Sequence, residues 1–120
     1  MLAAPPIVRF SVPGRVPSVN RRWRKGVGGR IFKSTASREF EARFASYALA
    51  ARPAGWHLDG GYHLDLTVIG SRADIDNIVK VCGDAGEGIL WDNDRQILSL
   101  NVHLLRGKAD PELLVRVTPR

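Results

Sequence analysis

Apolar and polar residues alternate through Ile7-Val8-Arg9-Phe10-Ser11-Val12, the period of a strand that buries one face. Pro13-Gly14 and Pro17-Ser18 then interrupt the pattern. Alternation returns in Tyr62-His-Leu-Asp-Leu-Thr-Val-Ile69, with Tyr62, Leu64, Leu66 and Val68 on one side. Further strands are predicted over residues 97–105 and 113–118, joined by a turn across Arg106-Gly-Lys-Ala-Asp-Pro111. Between these strands the period lengthens. Phe40, Phe44, Tyr47 and Ala48 share a face at helical spacing, which predicts a helix over residues 36–51, ended by Pro53 and Gly55. Ser34, Thr35 or Ser37 can cap it, because a hydroxyl accepts a bond from an unpaired first-turn N–H. A second helix is predicted from Asp74 or Ile75 to about Ala85, its end weakened by Gly83, Gly86 and Gly88. The order β-α-β-α-β-β predicts an α+β fold with two helices on a small mixed sheet. At 120 residues the chain is expected to form one domain, residues 1–120.

Residues 20–33 show neither period. They are rich in Arg and Gly, which predicts an exposed loop or a hairpin near Gly28-Gly29. This segment changes the picture through its charge. Residues 1–58 hold eleven Lys/Arg against two Asp/Glu, a balance of +9, whereas residues 59–120 hold seven against ten, a balance of −3. A basic half suits a polyanion, and Asn20, Arg21, Arg22, Arg24, Lys25, Arg30, Lys33 and Arg72 are the candidate DNA contacts. Trp23 within this arm is expected to be a packing residue rather than a base-stacking one. The lone Cys82 permits no internal disulfide and fits a reducing compartment. No apolar run is long enough to span a membrane, and the opening Met-Leu-Ala-Ala-Pro-Pro lacks the features of a signal peptide. A cytoplasmic protein, in a bacterial or phage-infected cell, is the expectation.

Candidate chemistry concentrates in Asp74-Ile-Asp76-Asn77-Ile-Val-Lys80 and Trp91-Asp92-Asn93-Asp94-Arg95-Gln96-Ile97. Carboxylates repel the phosphates that a basic surface attracts, so an acidic cluster in a DNA-binding chain calls for a cation between the two. Asp74 and Asp76 straddle a helix start just after a strand. If that strand and the next are neighbours, Asp94 can return to the same sheet edge as a third carboxylate. Three carboxylates and water suit Mg²⁺ or Mn²⁺. Zinc is not expected, because Cys82, His57, His63 and His103 lack ligand spacing. Lys80, one helical turn after Asp76, can face the same cleft and neutralise phosphate charge. Asn77 can orient a carboxylate. The plainer readings are that Asp74 or Asp76 is only a helix cap, and that Asp76, Lys80 and Asp84 form a surface ion-pair series.

Asp74, Asp76, Asn77, Lys80 and Asp84, followed by Asn93-Asp94-Arg95-Gln96-Ile97, resemble the RusA family of Holliday-junction resolvases. That family's pattern is roughly D-x-D-N-x-x-K-x-x-x-D and then D-D-x-Q-[IV]. Pro17-Ser18-Val19-Asn20-Arg21-Arg22-Trp23 resembles its P-x-x-N segment and basic-aromatic stretch. The resemblance runs from about residue 6 to 118 and implies a homodimeric, Mg²⁺-dependent endodeoxyribonuclease acting on four-way DNA junctions. By in-line attack of a metal-activated water it would make paired symmetric nicks with 5′-phosphate and 3′-hydroxyl ends. Carried over by position, the catalytic residues are Asp74, Asp76, Lys80 and Asp94, with the three aspartates as metal ligands. Two departures stand out. The family's Asp-Asp pair is Asn93-Asp94 here with Asp92 alongside, and Asp94 takes the ligand role because it stands two residues before Gln96. Gly83 and Gly86 replace helix formers and are expected to loosen the helix end.

A catalytically idle protein that binds branched DNA, and an RNA-binding or structural domain whose acidic residues only cap and pair, are the competing expectations. Retention of the aspartates with Lys80 speaks against a pure binder, which gains nothing from carboxylates near phosphate.

Overall fold

The computed structural model describes residues 6–17, 23–25, 31–107 and 110–120. In chain order the elements are β1 (Val8–Pro13), β2 (Trp23–Lys25), β3 (Ile31–Lys33), α1 (Thr35–Ala51), β4 (Tyr62–Ile69), α2 (Ile75–Ala85), β5 (Ile97–Leu105) and β6 (Glu112–Pro119), with one 3-10 turn at Asp94–Gln96. Four strands form a mixed sheet in the order β1-β6-β4-β5. β6 runs antiparallel to both β1 and β4, while β4 and β5 are parallel. A parallel pair needs a crossover connection, and α2 supplies it. The fold is the expected α+β arrangement. The basic arm contributes a small antiparallel hairpin, β2 with β3, whose tip at residues 26–30 lies outside the described residues, as do residues 18–22.

The alternation seen in the sequence sorts each strand into two faces. Val8 and Val12 of β1, Leu64, Leu66 and Val68 of β4, and Leu113, Val115 and Val117 of β6 are all buried beneath the helices. Phe40, Phe44 and Ala48 of α1 and Ile78, Val81 and Cys82 of α2 close this core from above. Phe10 meets Phe44 edge-on, with centroids 5.1 Å apart, the geometry that ring quadrupoles favour. Ser34 caps α1, its hydroxyl accepting from the Ser37 N–H at 3.3 Å. Tyr47 departs from expectation. It is 43% exposed, because the buried stripe advances by fours through residues 40, 44 and 48 and leaves Tyr47 on its flank.

The other face of the sheet carries polar side chains. His63 bridges Ser99 Oγ (2.6 Å) and Asp65 Oδ1 (3.1 Å), and Asn101 donates to Asp65 Oδ1 at 3.0 Å. Burial works against ionisation of Asp65, but the bonds from Asn101 and His63 and the charges of His63 and Arg116 outweigh it, holding its carboxyl below the usual range. No helix among the described residues is long and apolar enough to cross a membrane.

Candidate active site

The helix that crosses from β4 to β5 carries the acidic motif, and the loop that returns to β5 carries its second half. Asp74 is the N-cap residue of α2 by position, yet its side chain makes no capping hydrogen bond. Asp74 and Asp76 stand at the first turn of this helix. The capping role that a lone aspartate usually fills therefore does not account for Asp74. One turn further on, Lys80 Nζ lies 3.6 Å from Asp84 and 3.8 Å from Asp94. The second contact joins the helix to the returning loop.

Asp94 reaches this position by a route other than the expected one. β4 and β5 are neighbours, but they run parallel, with Tyr62 level with Ile97 and Ile69 level with Leu105. Residues preceding β5 therefore lie where β4 begins, at the opposite end of the sheet from Asp74. Asp94 meets α2 partway along, against Gly83, instead of sharing Asp74's edge. A Cβ at Gly83 would stand 3.3 Å from Asp94 Cβ.

The glycines expected to loosen the helix end are instead points of close approach. Trp91 is fully buried, and its indole N–H donates to the Gly83 carbonyl at 2.8 Å. A Cβ at Gly86 would collide with the Trp91 ring, so only glycine admits the indole there. Trp91 packs on Tyr62, which stacks on Trp56 with centroids 5.1 Å apart. The indole of Trp56 in turn donates to the Leu90 carbonyl at 2.8 Å. This aromatic column pins the loop to the end of α2.

Beyond Trp91 the loop is set by Gln96. Asn93 Oδ1 accepts from the Arg95 N–H at 2.8 Å, and Gln96 Oε1 accepts from the Asn93 N–H at 2.7 Å, a capping box around Asp94. The Gln96 amide also donates to the carbonyls of Leu58 (2.5 Å) and Gly60 (2.7 Å), while the Asp92 N–H donates to Leu58 O at 3.0 Å. Asparagine thus does at position 93 what an aspartate would do, since a cap needs only an acceptor oxygen. Asp92 is exposed, and it is its backbone N–H that enters this network.

Asp84, Glu87 and Asp94 bring carboxylate oxygens within 4.8 Å of one another. Among the described residues this is the convergent acidic group, and Asp74 and Asp76 stand outside it. Glu87 is not among the candidates read from the sequence. It stands two residues past the end of α2, and its closeness in sequence to Asp84 is the signal that could have found it. All donors here are oxygen, the set that Mg²⁺ or Mn²⁺ takes. The thiol of Cys82 is buried, and burial pushes its pKa up to about 12, so it offers no thiolate.

Asn77 also reaches the chain before the basic arm. Its amide donates to the Pro17 carbonyl at 3.3 Å, tying the root of the basic arm to the first turn of α2. Of the candidate DNA contacts, Arg72 is exposed just before α2. Arg24, Lys25 and Lys33 belong to the β2–β3 hairpin by their backbone pairing, and Asn20, Arg21, Arg22 and Arg30 lie outside the described residues.

No curated protein matches the chain. A family model does: that of Endodeoxyribonuclease RusA, over residues 13–118. That match takes in both halves of the acidic motif, the basic arm and every helix, and the chain belongs to the RusA endodeoxyribonuclease family.

Proposed function

We propose that this protein is a Mg²⁺-dependent, structure-selective endodeoxyribonuclease that resolves four-way DNA junctions by paired symmetric nicks. The observation that carries the reading is the pairing of Lys80 with Asp94 across helix and loop, beside converging carboxylates in a member of a nuclease family. A lysine and several carboxylates gathered in a chain that also carries a basic arm suit phosphodiester chemistry better than they suit a passive DNA surface.

Asp74, Asp76 and Asp94 are the proposed metal-binding carboxylates, in two sets within one chain: Asp74 with Asp76 at the start of α2, and Asp94 with Asp84 and Glu87 near its end. The contact of Asp94 with Lys80 favours Asp94 over Asp92. Asp84 and Glu87 add negative charge at the same end of the site. Mg²⁺, or Mn²⁺ in its place, would supply Lewis-acid activation of water and of the scissile phosphate. Lys80 is left to balance charge: paired with Asp84 and Asp94 before DNA arrives, it is positioned to turn toward a phosphate oxygen and stabilise charge that grows there. The basic arm would hold the flanking phosphates, and the Asn77–Pro17 bond gives it a fixed root beside the site. Attack in line with the departing 3′-oxygen leaves 5′-phosphate and 3′-hydroxyl ends. Two symmetric nicks call for two symmetric sites, hence a homodimer.

The test is cleavage of a mobile four-way junction beside plain duplex and single strand, in Mg²⁺ and in EDTA. Paired nicks confined to the junction and lost in EDTA are expected. Tight junction binding without nicks in Mg²⁺ or Mn²⁺ would contradict the reading and leave a binding protein. Replacing Arg21 and Arg22 together with alanine is expected to weaken junction binding and flatten its salt dependence, because phosphate contacts release counterions.

A further inference from the structure

We infer that the open face of the sheet holds a binding site for a small organic phosphate of mononucleotide size, its phosphate seated between Arg9 and Arg116. The pairing of the strands builds this site. One row of side chains crosses the sheet as Arg9 on β1, Arg116 on β6, Asp65 on β4 and Asn101 on β5, each level with the next. The adjoining row is Ser11, Leu114, Thr67 and His103. Val8, Val12, Leu66, Val115 and Val117, their neighbours along the strands, are buried beneath the helices. By alternation both rows therefore stand on the opposite face. An open cavity of about 590 Å³ lies over them, within the size range of small-molecule sites.

Charge selects an anion for the arginine end. Arg9 and Arg116 oppose each other directly across an antiparallel pair, where like charges destabilise a sheet. Among the described residues neither guanidinium lies within ion-pair distance of a carboxylate. Asp65 follows Arg116 in the row, but its Oδ1 is taken by His63 and by Asn101 of β5. The Arg116 charge reaches it only as one of several influences holding its carboxyl below the usual range. A phosphate between the two arginines would offset both charges, and planar guanidinium forks match its oxygens. Ser11, which also lines the cavity, adds a hydroxyl donor in the next row.

The rest of the lining favours a small ligand over a length of DNA. Leu114, 39% exposed, offers an apolar floor for a ring, and Thr67, His103 and Asp65 edge it with hydrogen-bonding groups. A carboxylate can accept from the hydroxyl or amino groups of a nucleoside, but it repels a phosphate backbone. A DNA strand laid along this face would meet Asp65 beside Arg116, and Glu112 two residues before Leu114 on β6. A single phosphate needs only the arginine end. α2 and its acidic motif pack on the other face of the sheet, so this site is separate from the proposed nuclease centre and independent of that reading.

The test uses the full chain in EDTA, with adenosine 5′-monophosphate as the probe and inorganic phosphate and adenosine beside it. Binding is read by calorimetric titration and by thermal unfolding, since a ligand of the folded chain raises its melting temperature. Adenosine 5′-monophosphate is expected to bind saturably, one per chain, below about 1 mM. Inorganic phosphate is expected to compete for the site, and adenosine to bind about ten-fold more weakly or less. Arg9→Gln and Arg116→Gln should each weaken binding of the nucleotide by about ten-fold or more. Without ligand each should melt no lower than wild type, because each relieves the like-charge pair. Replacing Arg21 and Arg22 with alanine should leave nucleotide binding unchanged, and Arg9→Gln should keep wild-type junction affinity. No saturable binding below about 1 mM, or equal binding by wild type and both glutamine variants, would overturn the inference. A loss of junction affinity in Arg9→Gln as large as its loss of nucleotide affinity would also overturn it, making this face a DNA surface.

Discussion

A Cβ added to Gly83 would stand 3.3 Å from the Cβ of Asp94 and 3.8 Å from its Oδ2. The helix residue without a side chain faces the loop carboxylate proposed as a ligand. Stability and activity therefore separate at this position. Gly83→Ala removes a helix-interior glycine, which favours the fold by up to about 1 kcal/mol. It also pushes Asp94 outward by a few tenths of an ångström. Thermal unfolding is expected at an equal or higher temperature, with junction cleavage reduced on the order of ten-fold, as misplaced site groups produce. Unchanged cleavage would mean that Asp94's position is not critical.

Gln96 offers a second separation. Gln96→Glu keeps the oxygen that accepts from the Asn93 N–H but loses the amide that donates to Leu58 and Gly60. The Gly60 carbonyl loses this donor and the Leu58 carbonyl keeps only the Asp92 N–H, at a cost of about 1–3 kcal/mol, and the Asp94 turn is held less firmly to the 58–60 loop. A lower melting temperature is expected, together with a raised Mg²⁺ requirement for cleavage. Gln96→Glu with the wild-type Mg²⁺ dependence would limit Gln96 to a role in stability.

Cys82 sets an alkaline limit. Its folded pKa, about 12, lies above the ~8.5 of an unfolded thiol. The stabilising effect is therefore fully present below about pH 8.5 and lost as pH rises toward 12. Each pH unit in that window costs about 1.4 kcal/mol per proton. Tyr62, raised chiefly by burial, adds to the loss above about pH 10. Urea unfolding at pH 8, 9 and 10 is expected to show falling stability in wild type and a flatter profile between pH 9 and 10 in Cys82→Ala. Equal slopes for the two proteins would contradict this origin. The same burial predicts that Cys82 resists thiol reagents until the chain unfolds.

Much of this arrangement is legible in the sequence alone. Alternation in residues 62–69 locates β4, which buries one face, and the largely apolar run of residues 97–105 locates β5, none of whose residues is fully buried. The acidic motif falls on α2 because a strand, a short polar link and a helical period follow one another there. What stays hidden depends on pairings distant in sequence. Local pattern does not reveal that β4 and β5 run parallel, and this direction decides which end of the sheet Asp94 occupies. Gly83 and Gly86 read as helix weakeners because the cost of a glycine is local, whereas its use here lies in Trp91 and Asp94, five to eleven residues away. Glu87 reads as an ordinary surface charge until Asp94 is folded against Asp84.

The most direct test of the central claim is to remove one charge from the site and measure binding and cutting separately. Asp94→Asn and Asp76→Asn each keep the shape of the side chain and remove a proposed ligand's charge. With a labelled four-way junction, each variant is expected to lose nicking in Mg²⁺ by several orders of magnitude. Junction affinity should hold or improve, because one fewer carboxylate repels the phosphates. Lys80→Ala is expected to follow them in losing cleavage while remaining folded. Nicking at near wild-type rates in Asp76→Asn and Asp94→Asn would contradict the account and return the acidic cluster to a structural role.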